Sequence, residues 1–181
     1  MRVISGSRRG AKLVSFEGDK IRPTTDRVKE SIFNLIQMYI PNAKVLDLFA
    51  GSGALGIEAM SRGASEAVFV DLDKASVDVV LKNLSNLRFN ENVRVFNLSY
   101  SEFFKLNSEC FDVIFLDPPY NRGFIEPVLK DIVDNGRLSE DGIIMLESDG
   151  TDMHEEFEGL TVLKQKKYGR SYITVYQRGD V

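Results

Sequence analysis

Asp117-Pro118-Pro119-Tyr120 directly follows the apolar run Val113-Ile114-Phe115-Leu116. Two successive prolines fix φ, restrict the residue before each of them, and remove two backbone donors. What remains is a stiff loop with carbonyl oxygens, the Asp117 carboxylate and the Tyr120 ring. That set suits a flat ring bearing an exocyclic amine. Acceptors at Asp117 and the Pro118 carbonyl take the amine protons, Pro119 belongs to the same substrate slot, and Tyr120 supplies a stacking face. A Pro-Pro pair also ends strands with no further role, so the tetrapeptide alone leaves both readings open.

A second constellation lies upstream. Lys44-Val45-Leu46-Asp47-Leu48-Phe49 runs into Ala50-Gly51-Ser52-Gly53-Ala54-Leu55-Gly56, where residues 51 to 56 match G-x-G-x-x-G. Such glycines permit a tight turn and close backbone approach to a ligand. Asp71 lies twenty positions past Gly51, at the end of Ala67-Val68-Phe69-Val70, where an acid accepts from ribose hydroxyls. Any ligand with an adenosine meets these requirements, a dinucleotide included. Two features separate the options. Asp47 puts negative charge beside the glycine turn, which suits an ammonium and a sulfonium and repels a pyrophosphate. The proline tetrapeptide then supplies a second site, for a second substrate. S-adenosylmethionine fits better than NAD.

These groups need a scaffold that brings strand ends together. Short apolar runs bounded by polar residues read as buried strands, and open α/β sheets bind ligands off their carboxyl ends. Helix Ala54 to Arg62, strand Ala67 to Asp71, a helix from about Lys74 to Phe89, strand Val93 to Leu98, strand Val113 to Leu116, a helix near Ile125 to Asp134 and strand Gly142 to Glu147 alternate along the chain. That alternation implies a doubly wound, mostly parallel sheet with helices on both faces. Leu160 to Lys167 and Tyr172 to Gln177, around Tyr168-Gly169-Arg170-Ser171, form an antiparallel hairpin at its edge. At the amino end, Arg2 to Gly6 and Ala11 to Val14 read as two strands of a hairpin with Arg8 and Arg9 at the tip. Thr24 or Thr25 caps a helix from Asp26 to about Tyr39, whose Val28, Ile32, Phe33, Leu35, Ile36 and Tyr39 face the core, leaving Arg27 and Lys29 on other faces.

Asp47-Leu48-Phe49-Ala50-Gly51-Ser52-Gly53 resembles the first motif of S-adenosylmethionine-dependent methyltransferases, and Asp117-Pro118-Pro119-Tyr120 resembles the fourth motif of those that methylate exocyclic amines. Arg22 to Asn34, Leu55 to Ala64 and Lys167-Tyr168-Gly169 are similar to the bacterial RsmD family of 16S ribosomal RNA guanine-N2 methyltransferases. The similarity runs from Arg2 to about Gln177. It implies a seven-stranded Rossmann-like sheet, with residues 1–40 as a basic hairpin-and-helix extension and 41–181 as the methyltransferase domain, one structural unit. It implies S-adenosylmethionine held by Asp47, Phe49, Ala50, Gly51, Ser52, Gly53, Asp71, Leu72, Ser99 and Tyr100, with S-adenosylhomocysteine as product. Ser99 stands where related enzymes place an acid for the adenine amine, and Tyr100 offers packing or a hydroxyl instead. Asp117, Pro118 and Tyr120 would act on the guanine N2, with Arg8, Arg9, Arg22, Arg27 and Pro119 toward the RNA. The amine tetrapeptide alone equally suits adenine N6 or a protein glutamine.

Composition and charge agree with a compact enzyme. The 181 residues are 43% hydrophobic and 28% charged, ordinary values for one globular domain. No apolar run reaches membrane length and no signal peptide opens the chain, so a cytoplasmic protein is expected. Cys110, the only cysteine, reads as a small hydrophobe near a strand start, and His154, the only histidine, as a solvated residue among acids. Neither supports a metal site, and none is expected. Net charge is −4, yet residues 1 to 30 hold eight Lys/Arg against four acids, a local balance of +4 that suits phosphate. The expected partner is ribosomal RNA or a partly assembled small subunit, met by a monomer.

Overall fold

The computed structural model describes residues 1–15, 26–119, 122–150 and 157–179. Twelve main elements follow one another: α1 (Asp26–Ile36), β1 (Lys44–Leu48), α2 (Ala54–Ser61), β2 (Glu66–Asp71), α3 (Lys74–Asn86), β3 (Val93–Asn97), α4 (Tyr100–Leu106), β4 (Phe111–Leu116), α5 (Ile125–Asp134), β5 (Leu138–Ser148), β6 (Leu160–Tyr168) and β7 (Ser171–Arg178). A 3₁₀ turn over Gln37–Tyr39 extends α1. The strands form one sheet in the order β3-β2-β1-β4-β5-β7-β6. β1 to β5 are parallel, and β7 inserts antiparallel between β5 and β6.

The helices start where local chemistry allows. Asp73 caps α3, its carboxylate accepting from Ala75 N at 3.1 Å. α5 tolerates Pro127 because a first-turn proline forfeits no intrahelical bond. Gly63, with φ +101°, closes α2 in the left-handed region.

Two apolar layers sandwich the sheet. On one face Ile32, Phe33 and Ile36 of α1, with residues of α2 and α3, pack on Val113, Phe115, Met145 and Val175; the Phe33 and Phe115 rings are 5.6 Å apart. On the other, Phe103, Phe104, Val128, Leu129 and Ile132 of α4 and α5 cover Leu46, Ile114, Leu146 and Tyr176. Period-two alternation across buried strands generates both layers from the same residues' neighbours.

The amino ends of the strands carry a paired charge cluster. Arg94 donates to Glu66 and Glu109, and Lys44 meets the same two carboxylates. These partners hold the Glu109 carboxyl well below the usual carboxylate range, with Arg94 the larger cause and Lys44 next.

Several expectations need correction. The amino-terminal hairpin exists only as a single bridge, Arg2 with Lys12, closed by Val3 N to Ala11 O and Gly10 N to Val3 O. Ile4 N and Ser5 N turn instead to the Glu58 carboxylate, at 2.8 and 3.0 Å, and a strand ladder cannot form from amides already spent on α2. Lys29 is not on a solvated face. It is fully buried, paired with Glu58 at 3.2 Å and donating to Arg2 O at 2.6 Å. Burial pushes its ammonium down, against the pull of Glu58. One basic charge of the amino-terminal balance is therefore structural. α4 follows β3 in a stretch to which the sequence pattern assigns no helix, and β5 starts four residues early because Leu138 pairs with Phe111 before a bulge. Cys110 does precede β4 but is exposed, its thiol donating to Gly136 O. Thr24, Thr25 and His154 lie outside the described residues.

Candidate active site

β1 and β4 are sheet neighbours, with Leu48 opposite Leu116. The loops that leave these two residues, Phe49 to Gly53 and Asp117 to Pro119, therefore emerge side by side. The first turns sharply: Phe49, Gly51 and Gly53 have φ of +67°, +56° and +77°. Glycine adopts such angles freely, but Phe49 is strained there, and strain of this kind costs about 1–3 kcal/mol that surrounding contacts must hold. Ala50 N donates to Val70 O, and Gly53 N to Ala50 O, fixing the turn. A Cβ at Gly51 would meet nothing within 4 Å, so the turn's apex faces open space. At Gly56 a Cβ would come within 2.4 Å of the Phe69 ring, so that glycine serves packing.

Three aspartates support this end of the sheet. Asp47 is 2% exposed, and its Oδ2 accepts from Gly56 N at 2.8 Å under the first turn of α2. Burial pushes its carboxyl up to about 7, with the Gly56 bond opposing and Asp71 adding to the rise. Asp71 accepts from Gly51 N and Asp73 N, both at 2.8 Å, and burial also raises it. Asp117 keeps some surface, yet burial of its carboxyl, then the charge of Glu147 and then that of Asp47, push it well above the usual range. Ionised carboxylates in such surroundings are costly, and a nearby cation or a hydrogen-bond donor relieves the cost.

Apolar surface borders these acids. Leu72, directly after Asp71, is 71% exposed, and Asn97 Nδ2 holds its backbone by donating to Asp71 O and Leu72 O. Phe49, Tyr100 and Phe124 form an aromatic triangle with centroids 5.8 to 6.2 Å apart. Burial, then Asp131, raises the Tyr100 hydroxyl. Ser99 has a different occupation: it caps α4 in a reciprocal box with Glu102, its Oγ donating to the Glu102 carboxylate at 2.6 Å.

The predicted residues thus divide. Asp47, Phe49 to Gly53, Asp71, Leu72, Tyr100 and Asp117 to Pro119 gather at the carboxyl ends of the strands, with Pro118 buried and Pro119 exposed. Arg8 is elsewhere. Its Nε donates to Leu87 O at 2.7 Å and its guanidinium lies over Phe89, at the C-terminal ends of α2 and α3 rather than free at a tip. Arg9 and Arg27 line a cleft of about 450 Å³ with Arg2, Asp26 and Glu30. Tyr120 and Arg22 lie outside the described residues. Sequence reasoning missed Glu147 beside Asp117, Phe124, Asn97 and Asn83. Asn83 is buried and accepts from Val14 N while donating to Val14 O and Ser52 O, which ties the amino-terminal segment to the glycine turn. Its only sequence signal was a polar residue at an inward position of α3. Among the described residues, no group of three His, Cys, Asp or Glu side chains is placed to hold a metal ion.

A dinucleotide fold runs 3-2-1-4-5-6; here antiparallel β7 is inserted, and an open glycine turn stands beside a second loop of acceptors. That combination defines a Rossmann-like methyltransferase of the S-adenosylmethionine-dependent class. The SAH-bound methyltransferase PaMTH1 of Podospora anserina shares the fold at TM-score 0.69 and 16% identity, over 86% of this chain and 80% of that one. Closer likeness comes from yhhF of Escherichia coli, whose solved structure superposes at TM-score 0.89 with 37% identity over 98% of this chain and 97% of that chain. Ribosomal RNA small subunit methyltransferase D of Escherichia coli K12 is 40% identical over 149 residues, 82% of this chain and 75% of that protein. The protein of the same name from Haemophilus influenzae is 38% identical over 180 residues, 98% and 93% of the two chains. The family described as Conserved hypothetical protein 95 matches residues 1–177, and the chain belongs to it.

Proposed function

We propose that this chain transfers a methyl group from S-adenosylmethionine to the exocyclic N2 of a guanine in small-subunit ribosomal RNA, as a cytoplasmic monomer. The observation that carries the reading is the pairing of β1 with β4, which sets the glycine turn and the Asp117 loop shoulder to shoulder. Support for the target class comes from the small-subunit rRNA methyltransferases D that are about two-fifths identical to it.

The residues present fit the cofactor. Gly51 borders open space, Leu72 offers bare apolar surface to a flat ring, and buried Asp47 lies beneath the turn. Gly51, Ser52 and Gly53 would take the methionine end against backbone, with Phe49, Ala50, Leu72 and Tyr100 around the rest. Asp71 would accept from the ribose hydroxyls, and Ser99 contributes through the start of α4. When bound, S-adenosylmethionine supplies a methyl group activated by a sulfonium.

The chain's own work is to hold the amine. A guanine N2 lone pair is delocalised into the ring, which makes it a poor nucleophile. The Asp117 carboxylate and the Pro118 carbonyl each accept one amine proton, which draws the nitrogen toward a pyramidal shape. Positioning of this kind contributes several kcal/mol, up to roughly 7–11 in ideal cases. Tyr120 stacks on the base, a contact worth roughly 1–3 kcal/mol, and stacking requires an unpaired or flipped-out nucleotide. Pro119 borders the same slot, and Arg9 and Arg27 of the amino-terminal cleft, with Arg22 as a further candidate by sequence, would meet the RNA backbone. The raised proton affinity of Asp117 equips it to receive the proton that the methylated amine sheds.

The test supplies labelled cofactor with naked rRNA, assembled small subunits or DNA, and locates the product by mass spectrometry. N2-methylguanine in rRNA or subunits is expected; label on adenine or on protein would redirect the reading to another planar amine. Asp117→Ala is expected to lower turnover by roughly 10²–10³ while S-adenosylhomocysteine still binds by calorimetry. Equal loss of both would move Asp117 from catalysis to cofactor support.

A further inference from the structure

The carboxyl end of the sheet is acidic, with Asp47, Asp71, Asp117 and Glu147 gathered there. A polyanion is repelled by such a site, so attraction for its phosphates has to come from a cationic surface beside it. Arg8 is already spent on Leu87 O and Phe89.

The C-terminal hairpin has the required charge. From Gly159 to Gly179 the chain carries Lys164, Lys166, Lys167, Arg170 and Arg178 and no Asp or Glu. Lys164 is occupied, donating to Leu35 O on α1 at 3.0 Å. Arg178 pairs in register with Leu160, at the hairpin's far end. Lys167 and Arg170 are exposed beside the turn, while Lys166, one residue earlier on β6, shares the α1 face with Lys164.

Topology decides where that turn points. β6 is antiparallel to β7, which is antiparallel to β5, so β6 runs parallel to β4 and ends on Asp117's side. Leu116 stands opposite Leu146; two residues further on come Pro118 and Ser148. Ser148 stands opposite Tyr172, and Tyr172 opposite Lys167. Pro118, Ser148, Tyr172 and Lys167 therefore make one row across the sheet. Three inter-strand gaps of about 4.8 Å put Lys167 roughly 14 Å from the amine slot, a span of a few nucleotides. The row is held in place: Lys167 Nζ lies 5.1 Å over the Tyr172 ring, and Tyr172 packs on Gly150, where a Cβ would come within 2.5 Å of it.

Lysines on an edge strand also block edge-to-edge pairing. That role asks only for charge somewhere along β6. It accounts neither for the grouping at the catalytic end nor for Arg170, which sits in the turn.

We infer that Lys167 and Arg170 form a phosphate-contact surface that holds the RNA backbone flanking the target nucleotide. This rests on the RNA-methylation reading above and deepens it. The experiment compares Lys167→Gln/Arg170→Gln with a charge-matched control, Lys82→Ala/Lys105→Ala on α3 and α4, using small-subunit rRNA as substrate. For the hairpin variant the RNA KM should rise roughly tenfold at moderate salt, and the salt dependence of log KM should lose about 0.7 per phosphate contact removed. Its kcat and its affinity for S-adenosylhomocysteine should stay close to those of the unaltered chain. An unchanged KM and salt dependence, an equal loss in the control, or a loss of S-adenosylhomocysteine affinity in the hairpin variant would each overturn the surface. If the unaltered chain methylates no rRNA, the functional reading falls and this inference with it; methylation with an unaffected hairpin variant sinks the inference alone.

Discussion

At the amino ends of the strands, Glu66 and Glu109 lie against Lys44 and Arg94, and the Glu109 carboxyl is held far down by those partners. At the carboxyl ends of the same sheet, Asp47, Asp71 and Asp117 are all pushed up, with burial as the leading cause each time. Among the described residues no ion pair reaches any of these three. One end spends its charges on holding the protein together. The other keeps carboxylates in surroundings that favour a proton, a donor or a positive ligand. A stable fold gains nothing from the second arrangement, since buried carboxylates without cations cost free energy. A site that holds an amine and a cationic cofactor does.

That contrast can be broken in three places. The largest effect is expected at Asp47. A carboxyl raised to about 7 in the folded chain, from 3.8 in the open one, contributes stability that is fully present below about pH 4 and is lost as pH rises through 7. Asp47→Asn should remove this slope while still accepting from Gly56 N. Its Tm should match the unaltered protein near pH 4 and differ increasingly toward pH 8, where the variant is expected to be higher by roughly 4 °C, equivalent to about 1–2 kcal/mol. Parallel Tm curves across that range would mean Asp47 is not the titrating group.

Glu147 sharpens the comparison next. Its charge helps raise Asp117, so Glu147→Gln should shift the acid limb of the kcat profile to lower pH, leaving S-adenosylhomocysteine affinity in place. An unmoved limb would detach Glu147 from the chemistry. The smallest effect belongs to the amino end. Arg94→Ala should cost about 1 kcal/mol or less, because the cluster is partly exposed and screened, and turnover should not change. Glu109's stabilising contribution is present above pH 4.5 and is lost as pH falls through its depressed folded value. The variant's stability should therefore vary less with pH on the acid side, read from urea midpoints.

Much of the scaffold was legible in the chain. β1, β2, β4 and α5 fall within a residue or two of the apolar runs that announce them, and α5 matches from Ile125 to Asp134. Strand periodicity and glycine punctuation are local signals, which survive without a partner. The amino-terminal hairpin failed for the opposite reason. Its residues have strand-like alternation, but Glu58, more than fifty positions away, takes the amides of Ile4 and Ser5. Lys29 was misread likewise, since a buried lysine looks like a surface lysine until its distant carboxylate is known. α4 was hidden because Ser99 and Glu102 spell a capping box over only seven residues.

Residue types and short-range spacing by themselves settled the glycine turn and most of the alternation of strands and helices, because each depends on the backbone freedom of a few neighbours. Tertiary structure alone decided which loops meet, which carboxylates are crowded into raised proton affinity and which cations remain outside. Those properties come from register across the sheet and from burial, and both join residues that the chain keeps far apart.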